Sequence, residues 1–430
     1  MRIMTTREFK EKMLDLVVNR GKADLSQISS SVRKIIMDVR EKGDEAILHY
    51  TEKFDDVSLP KSRLKVTEKE VKESYEKLET DQISALKTVA ANITRFHQVQ
   101  TNDAWSLETS KGVTVGQVTR PFSSVGVYTP RGGASYPSSL LMCAIPAKVA
   151  GVKKIIVCSP PTKGGDVNPA LLVAADLAEA SEIYRVGGAQ AIAAIAYGTE
   201  TVPKVDKIVG PGNLFVTVAK MQVREDLAID IPAGPSEVLI ITDETANASF
   251  VASDLLAQAE HDPRAWAILL TTSKDLALAV REEVSKQLET LSRKEALKCS
   301  IQTGGLIVVV ENIDEAVRYA NIIAPEHLQI QTKAPRKVFE RVQNVGAVFL
   351  GQYSPVALGD YSAGLNHVLP TGGYARSYSG LSTRDFIKTI NFLQCSRRGF
   401  SQLEKAATTL AKLEDFEGHA RSISIRRIQK

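Results

Sequence analysis

Only six histidines occur in the 430-residue chain, and four of them have neighbours whose types and spacing suit chemistry. Gln258 and His261 stand three apart near the end of an apolar stretch. On a helix they project from one face, where a carbonyl oxygen and an imidazole make half of a metal site or cap the helix end. Asp254 and Glu260 are alternative donors nearby. Glu326 and His327 follow Pro325 and read as adjacent loop residues. A carboxylate beside an imidazole suits proton abstraction and water activation at neutral pH, and equally describes an exposed polar pair. Asp360 falls in a glycine-rich polar loop seven residues before His367; short acids there are metal ligands or turn formers. His419, with Glu414 and Glu417 close by, sits far along a charged tail, where an exposed histidine is the plain reading. Together Gln258, His261, Asp360 and His419 offer two nitrogens and two oxygens, a borderline set suited to Zn²⁺. With no cysteine among them, the site is of the open kind that admits substrate. His49 and His97 lie in charged helices without ligand-type partners and read as surface or core residues.

Three small-residue loops suggest where a nucleotide would lie. Val209–Gly210–Pro211–Gly212–Asn213 follows a β-branched run and opens a helix, but Phe215 stands where the third glycine of GxGxxG belongs. Arg131–Gly132–Gly133 and Gly187–Gly188–Ala189–Gln190 have similar settings. Each suits a tight turn as well as a phosphate; three on one sheet indicate an open α/β cleft without the standard fingerprint.

The elements that position these residues follow from periodicity. Up to about residue 120 the pattern is helical and charged, as in 26–50 and 67–98. From Ser123, short β-branched runs alternate with helical stretches, first through Val223 and again from Ser236 to Gly351. Such alternation predicts right-handed βαβ units and parallel sheets, with ligands at the carboxyl ends of the strands. After Arg384 a helical tail is expected. The fold class is therefore α/β: two packed open parallel sheets, incomplete Rossmann-like units, with helical extensions at both ends.

Composition narrows the function classes. The chain is 43% hydrophobic and 24% charged, which suits a globular protein rather than a disordered or coiled-coil one. A net charge of +4 over this length does not point to nucleic acid as a partner. No apolar run approaches a membrane span, and the first residues alternate charge with apolar side chains unlike a secretion leader, so a soluble cytoplasmic protein is expected. Cys143, Cys158, Cys299 and Cys395 are widely spaced and read as buried free thiols of a reducing compartment. Arg421, Arg426, Arg427 and Lys430 read as a solvated basic end.

The stretch Ile229 to Val238, IDIPAGPSEV, running on to Gln258–Ala259–Glu260–His261–Asp262, resembles the signature of the histidinol dehydrogenase family. Gly210 to Asn213, Ala324 to Leu328 and Glu414 to His419 match it too; Thr242 departs, standing where a small Ala or Cys is expected. The resemblance implies oxidation of L-histidinol to L-histidine through an enzyme-held histidinaldehyde, with two NAD-dependent hydride transfers. It implies zinc ligands Gln258, His261, Asp360 and His419. Substrate contacts fall on Ser236, His327 and Glu414 besides the metal-binding residues, and NAD contacts on Tyr128, Gln190 and Asn213. His327 is the implied general base and Glu326 the implied activator of water. A homodimer is implied, its tails crossing so that His419 and Glu414 complete the partner's site. The corresponding division is a helical arm over 1–25, a discontinuous zinc and substrate domain over 26–122 and 237–380, an NAD domain over 123–236, and a swapped helical tail over 381–430. The competing readings are a zinc-dependent hydrolase and a non-catalytic binding protein. The three small-residue loops argue against the first, the intact polar set against the second.

Overall fold

The computed structural model describes residues 1–20, 26–100, 104–130, 135–231 and 234–427. Its strands in chain order are β1 Arg2–Thr5, β2 Trp105–Ser110, β3 Val113–Pro121, β4 Ser124–Tyr128, β5 Lys154–Ser159, β6 Glu182–Arg185 and β7 Lys207–Val209. There follow β8 Ala228–Ile229, β9 Glu237–Thr242, β10 Trp266–Thr271, β11 Gly305–Val309, β12 His327–Gln331, β13 Ala347–Leu350 and β14 Ile387–Cys395. They form a five-stranded sheet in the order β6-β5-β4-β7-β8 and a six-stranded sheet in the order β1-β11-β10-β9-β12-β13. Every pairing in both is parallel.

Both sheets are covered on two faces, which explains their continuous apolar runs. In the larger sheet Val238, Ile240 and Leu269 face helices Ala248–Ala259 and Lys274–Leu288. Their chain neighbours Leu239, Ile241 and Leu270 face the helices of the N-terminal arm and Ile313–Ile323. In the smaller sheet Ile156 and Ile208 pack under helices Gly188–Tyr197 and Leu214–Val223, while Val125, Val127 and Val157 pack under Pro137–Val149. Each fully buried side chain of this size contributes about 1.5–3 kcal/mol. Local chemistry sets the helix starts: Asn213 and Asn247 each accept a backbone N–H from the first turn of the helix they precede.

Three features differ from the periodicity reading. Residues 105–121 are strands, not helix, and with β14 they make a third, antiparallel sheet ordered β14-β3-β2. The tail thus begins with a nine-residue strand before its helices Arg397–Leu413 and Glu417–Ser424. The N-terminal arm likewise begins with a strand, β1, on the edge of the six-stranded sheet. β1, β2 and β14 bury little on either face, so no apolar alternation marks them, and β1 and β14 pair with segments far away in sequence. Among the described residues no helix is long and apolar enough to cross a membrane.

Candidate active site

The carboxyl end of β7 and the starts of β9 and β12 border one cavity. β4 and β7 of the smaller sheet end at a pocket of about 360 Å³ whose wall includes Tyr128, Pro160, Gly188, Gln190, Asn213 and Phe215. Tyr128, Gln190 and Asn213 thus line one space, drawn from the carboxyl ends of three neighbouring segments. The Tyr128 hydroxyl accepts the N–H of Gly188 at 3.2 Å. Gln190 is 1% exposed, and neither its amide oxygen nor its nitrogen has a hydrogen-bond partner. A buried amide in that state is matched by a ligand carrying both a donor and an acceptor. The Asn213 side-chain oxygen caps the following helix at Val216 N, so its amide nitrogen is the group left for a ligand. Gly210 is required here: its φ is +121°, and a Cβ would meet the Tyr128 carbonyl oxygen at 2.1 Å. The Arg131–Gly133 loop lies outside the described residues, as do Pro232 and Ala233.

Across the Gly210–Pro211 loop lies a second cavity, of about 230 Å³, bordered by Ser236, His261, Glu326, His327, Asp360 and His367. Its polar residues stand at the amino-terminal edge of the six-stranded sheet, not at the carboxyl edge that the sequence reading favoured. Glu237 begins β9 and His327 begins β12. The helix Ala248–Ala259 runs antiparallel to β9, so its C-terminus returns Gln258 and His261 to that same edge. Glu326 and His327 are therefore not loop neighbours but the mouth of a central strand, 6% and 3% exposed. Asp360 is on a short helix, Val356–Tyr361, rather than in a loop.

A hydrogen-bonded chain fixes Glu326. Gln258 Nε2 donates to Ser236 Oγ at 2.7 Å, and Ser236 Oγ donates to Glu326 Oε2 at 2.5 Å. The Glu237 N–H reaches the same oxygen at 2.9 Å. Burial pushes the Glu326 carboxyl up to about 7, against the pull of His327, Ser236 and the Glu237 N–H. His327 Nδ1 lies 3.0 Å from the Glu237 carbonyl oxygen, which assigns the proton to Nδ1 and the lone pair to Nε2. That Nε2 is buried without a hydrogen-bond partner, 3.8 Å from Asp360 Oδ1. Two lone-pair acceptors facing each other fit a donor or a cation between them.

The donor set fits a divalent cation in part. With Gln258 Nε2 bonded to Ser236, its carbonyl oxygen is the end left to accept a cation. Burial lowers the pKa of His261 against the field of Asp360, favouring the neutral imidazole a metal binds, although the residue is open to solvent at the cavity mouth. His367 is lowered the same way; it bonds the Asp360 carbonyl oxygen and Ser139 Oγ, which places it behind Asp360. Among the described residues no three His, Cys, Asp or Glu side chains converge as a cage. His419 and Glu414 stand exposed on the tail and line neither cavity; the His419 ring packs at 5.1 Å against Phe416. Asp254 faces Gln331 instead of the cavity, and Glu260 caps the helix end.

His97 is a core residue bonded to Gln100 and Asn366, and His49 is exposed. All four cysteines are free, but only Cys143 and Cys158 are buried; Cys299 and Cys395 are exposed. Burial raises both buried thiols far above neutrality, leaving them inert. Arg421, Arg426 and Arg427 are exposed, as expected, and Arg427 also pairs with Glu404. Two residue pairs escaped the sequence reading: Arg20 with Glu237, and Lys220 with Asp230, the latter gripping both sides of Gly210. Their signal was present, since Lys220 interrupts an apolar run and Glu237 heads one, the usual mark of a paired buried charge.

Fold and site define an α/β protein in which a buried carboxylate and imidazole at the edge of one sheet open into one cavity and a second pocket lies at the end of the other sheet. The histidinol dehydrogenase family model matches residues 18–427. A histidinol dehydrogenase of Methanothermobacter thermautotrophicus is 48% identical over 420 residues, 98% of each chain. One from Clostridium acetobutylicum is 48% identical over 97% of this chain and 96% of its own. The crystal structure of histidinol dehydrogenase from Elizabethkingia anophelis superposes with a TM-score of 0.93 at 37% identity, covering 99% of this chain and 97% of that one. The chain belongs to the histidinol dehydrogenase family and is an oxidoreductase acting on histidinol. That membership sets aside the hydrolase and binding-protein readings.

Proposed function

We propose that this chain oxidises L-histidinol to L-histidine in two NAD-dependent steps, the close of histidine biosynthesis, with Glu326 and His327 moving the protons. The observation that carries the reading is the state of His327: Nδ1 held by the Glu237 carbonyl, and Nε2 free and facing the cavity beside Asp360. His327 takes the alcohol proton as the carbon gives up hydride, leaving histidinaldehyde. Glu326, near 7, then takes a proton from a water that adds to the aldehyde, while the protonated His327 returns its proton to the former carbonyl oxygen, giving the hydrate and a neutral His327. His327 removes a hydrate proton as the second hydride leaves, and the product is the carboxylate. One enclosed site for both steps keeps the aldehyde from escaping.

NAD, bound through Tyr128, Gln190 and Asn213 in the unit spanning 123–236, supplies the hydride acceptor. Gln258, His261 and Asp360, with His419 of the partner subunit, would hold Zn²⁺, which when bound would supply a Lewis acid to orient the substrate without redox change. Ser236, His327 and the partner's Glu414 complete the substrate contacts. Exposed apolar side chains on the tail, Leu410, Leu413 and Phe416, with Ile390 and Leu393 on β14, support a homodimer that covers them. The zinc and substrate unit is taken as 26–122 with 237–380, and the exchanged tail as 381–430.

The test is incubation of the full chain with L-histidinol and NAD while following reduced nicotinamide. Two equivalents formed per histidine support the proposal; a single equivalent with free aldehyde, or none, overturns it.

A further inference from the structure

We infer that Arg20 is a positioning residue for the Glu326–His327 pair and acts through Glu237, an inference that rests on the proton-transfer roles proposed above. Arg20 and Glu237 are a buried ion pair, with side chains 2% and 3% exposed. Arg20 Nε and Nη2 bond the two carboxylate oxygens of Glu237 as a fork. Nη1 donates to the Val17 carbonyl oxygen at 2.6 Å and to the Ile323 carbonyl oxygen at 3.1 Å. The guanidinium thus joins the N-terminal arm, the end of helix Ile313–Ile323 and the start of β9.

Glu237 is the joint between that clamp and the acid–base pair. Its carboxylate also accepts the N–H of Glu326 and the N–H of Gly372, each at 3.1 Å. Its own N–H bonds Glu326 Oε2, and its carbonyl oxygen holds His327 Nδ1. One residue therefore contacts Glu326 at both ends and fixes the tautomer of His327. Neither Arg20 nor Glu237 borders the cavity, so neither touches substrate.

The carboxylate can accept two backbone N–H groups away from water only while a counter-charge remains opposite it. Without Arg20 it must take up a proton or turn toward solvent. Either change loosens the Glu326 N–H contact and lets the start of β9 shift, carrying with it the two main-chain groups that aim the pair. Lysine would keep the charge but not the fork that sets the angle of the carboxylate.

The experiment uses the full-length chain and compares Arg20→Met, Arg20→Lys and the double variant Arg20→Met/Glu237→Gln, with Glu326→Gln and His327→Asn as references. Arg20→Met is expected to lower kcat about 100-fold, the scale of a misplacement of about 1 Å, with KM for L-histidinol changed less than about threefold. The double variant leaves no buried charge unpaired and should recover Tm without recovering kcat. Arg20→Lys, which keeps the fold, should fall between Arg20→Met and the parent. In ¹⁵N-histidine spectra, the Nδ1–H signal of His327, assigned by its loss in His327→Asn, should shift in Arg20→Met. Parent kcat in Arg20→Met, or kcat returning together with Tm in the double variant, overturns the inference and leaves the pair merely structural. Parent turnover in Glu326→Gln and His327→Asn would instead overturn the underlying roles, whatever Arg20 does.

Discussion

The Ser236 hydroxyl donates to Glu326 at 2.5 Å while accepting from the amide of Gln258, so the end of helix Ala248–Ala259 is two hydrogen bonds from the Glu326 carboxylate. The bond from Ser236 favours the charged carboxylate and holds its pKa down against burial. Ser236→Ala should therefore move Glu326 above about 7, and the acid limb of histidinaldehyde oxidation should shift to higher pH. An unchanged limb in the pH–rate profile would show that Glu326 does not set it.

Glu326→Gln should impair the aldehyde step more than the alcohol step, because only the former needs a base for water. General-base removal costs typically 10²–10⁴-fold. Separate assays started from histidinol under single turnover and from histidinaldehyde decide this. Equal loss in both steps counts against the assignment.

The same substitution has a stability consequence. Glu326 binds its proton more tightly folded than unfolded, its pKa being raised from 4.5 to about 7. Between those values the native state holds more protons than the unfolded state, so the group's stabilising contribution, present at low pH, is lost as pH rises through about 7. The Tm of Glu326→Gln should therefore gain on the parent between pH 5 and pH 8, by the equivalent of about 2–4 kcal/mol. A Tm difference that stays flat over that range refutes the raised pKa.

Gln190→Leu fills the same space but removes the unpartnered amide. The KM for NAD should rise about 10-fold or more, the worth of one or two hydrogen bonds, with KM for L-histidinol little changed. Titration calorimetry with NAD checks it, and unaltered affinity would remove Gln190 from the cofactor pocket.

Deleting the chain from Glu414 onward should abolish turnover if the tails are exchanged. Mixing that truncated chain with His327→Asn should then restore part of the activity, because a hybrid dimer has one complete site. Hybrids shown to form by mass but lacking activity would assign each tail to its own subunit.

Much of the fold was legible because it is written locally. The β-branched runs at 154–159, 237–242 and 266–271 and the helices between them follow from periodicity, and two parallel sheets follow from their alternation. β2, β3 and β14 were not legible, since β2 and β14 are exposed along almost their whole length, leaving no apolar alternation, and β14 reaches β3 from far along the chain.

The residue types at the site were also determined by the sequence: the glutamate beside a histidine, the spacing of Gln258 and His261, and the small-residue loops at Gly187 and Gly210. Which edge of each sheet they occupy was decided only by the tertiary structure. A helix returning antiparallel to β9 brings Gln258 to the start of the strand, and the second sheet presents its opposite edge there. Burial, the pairing of Arg20 with Glu237, and the raised carboxyl of Glu326 are properties of that convergence. No short window of sequence holds both partners of such contacts, so their strength and geometry appear only when the chain is folded.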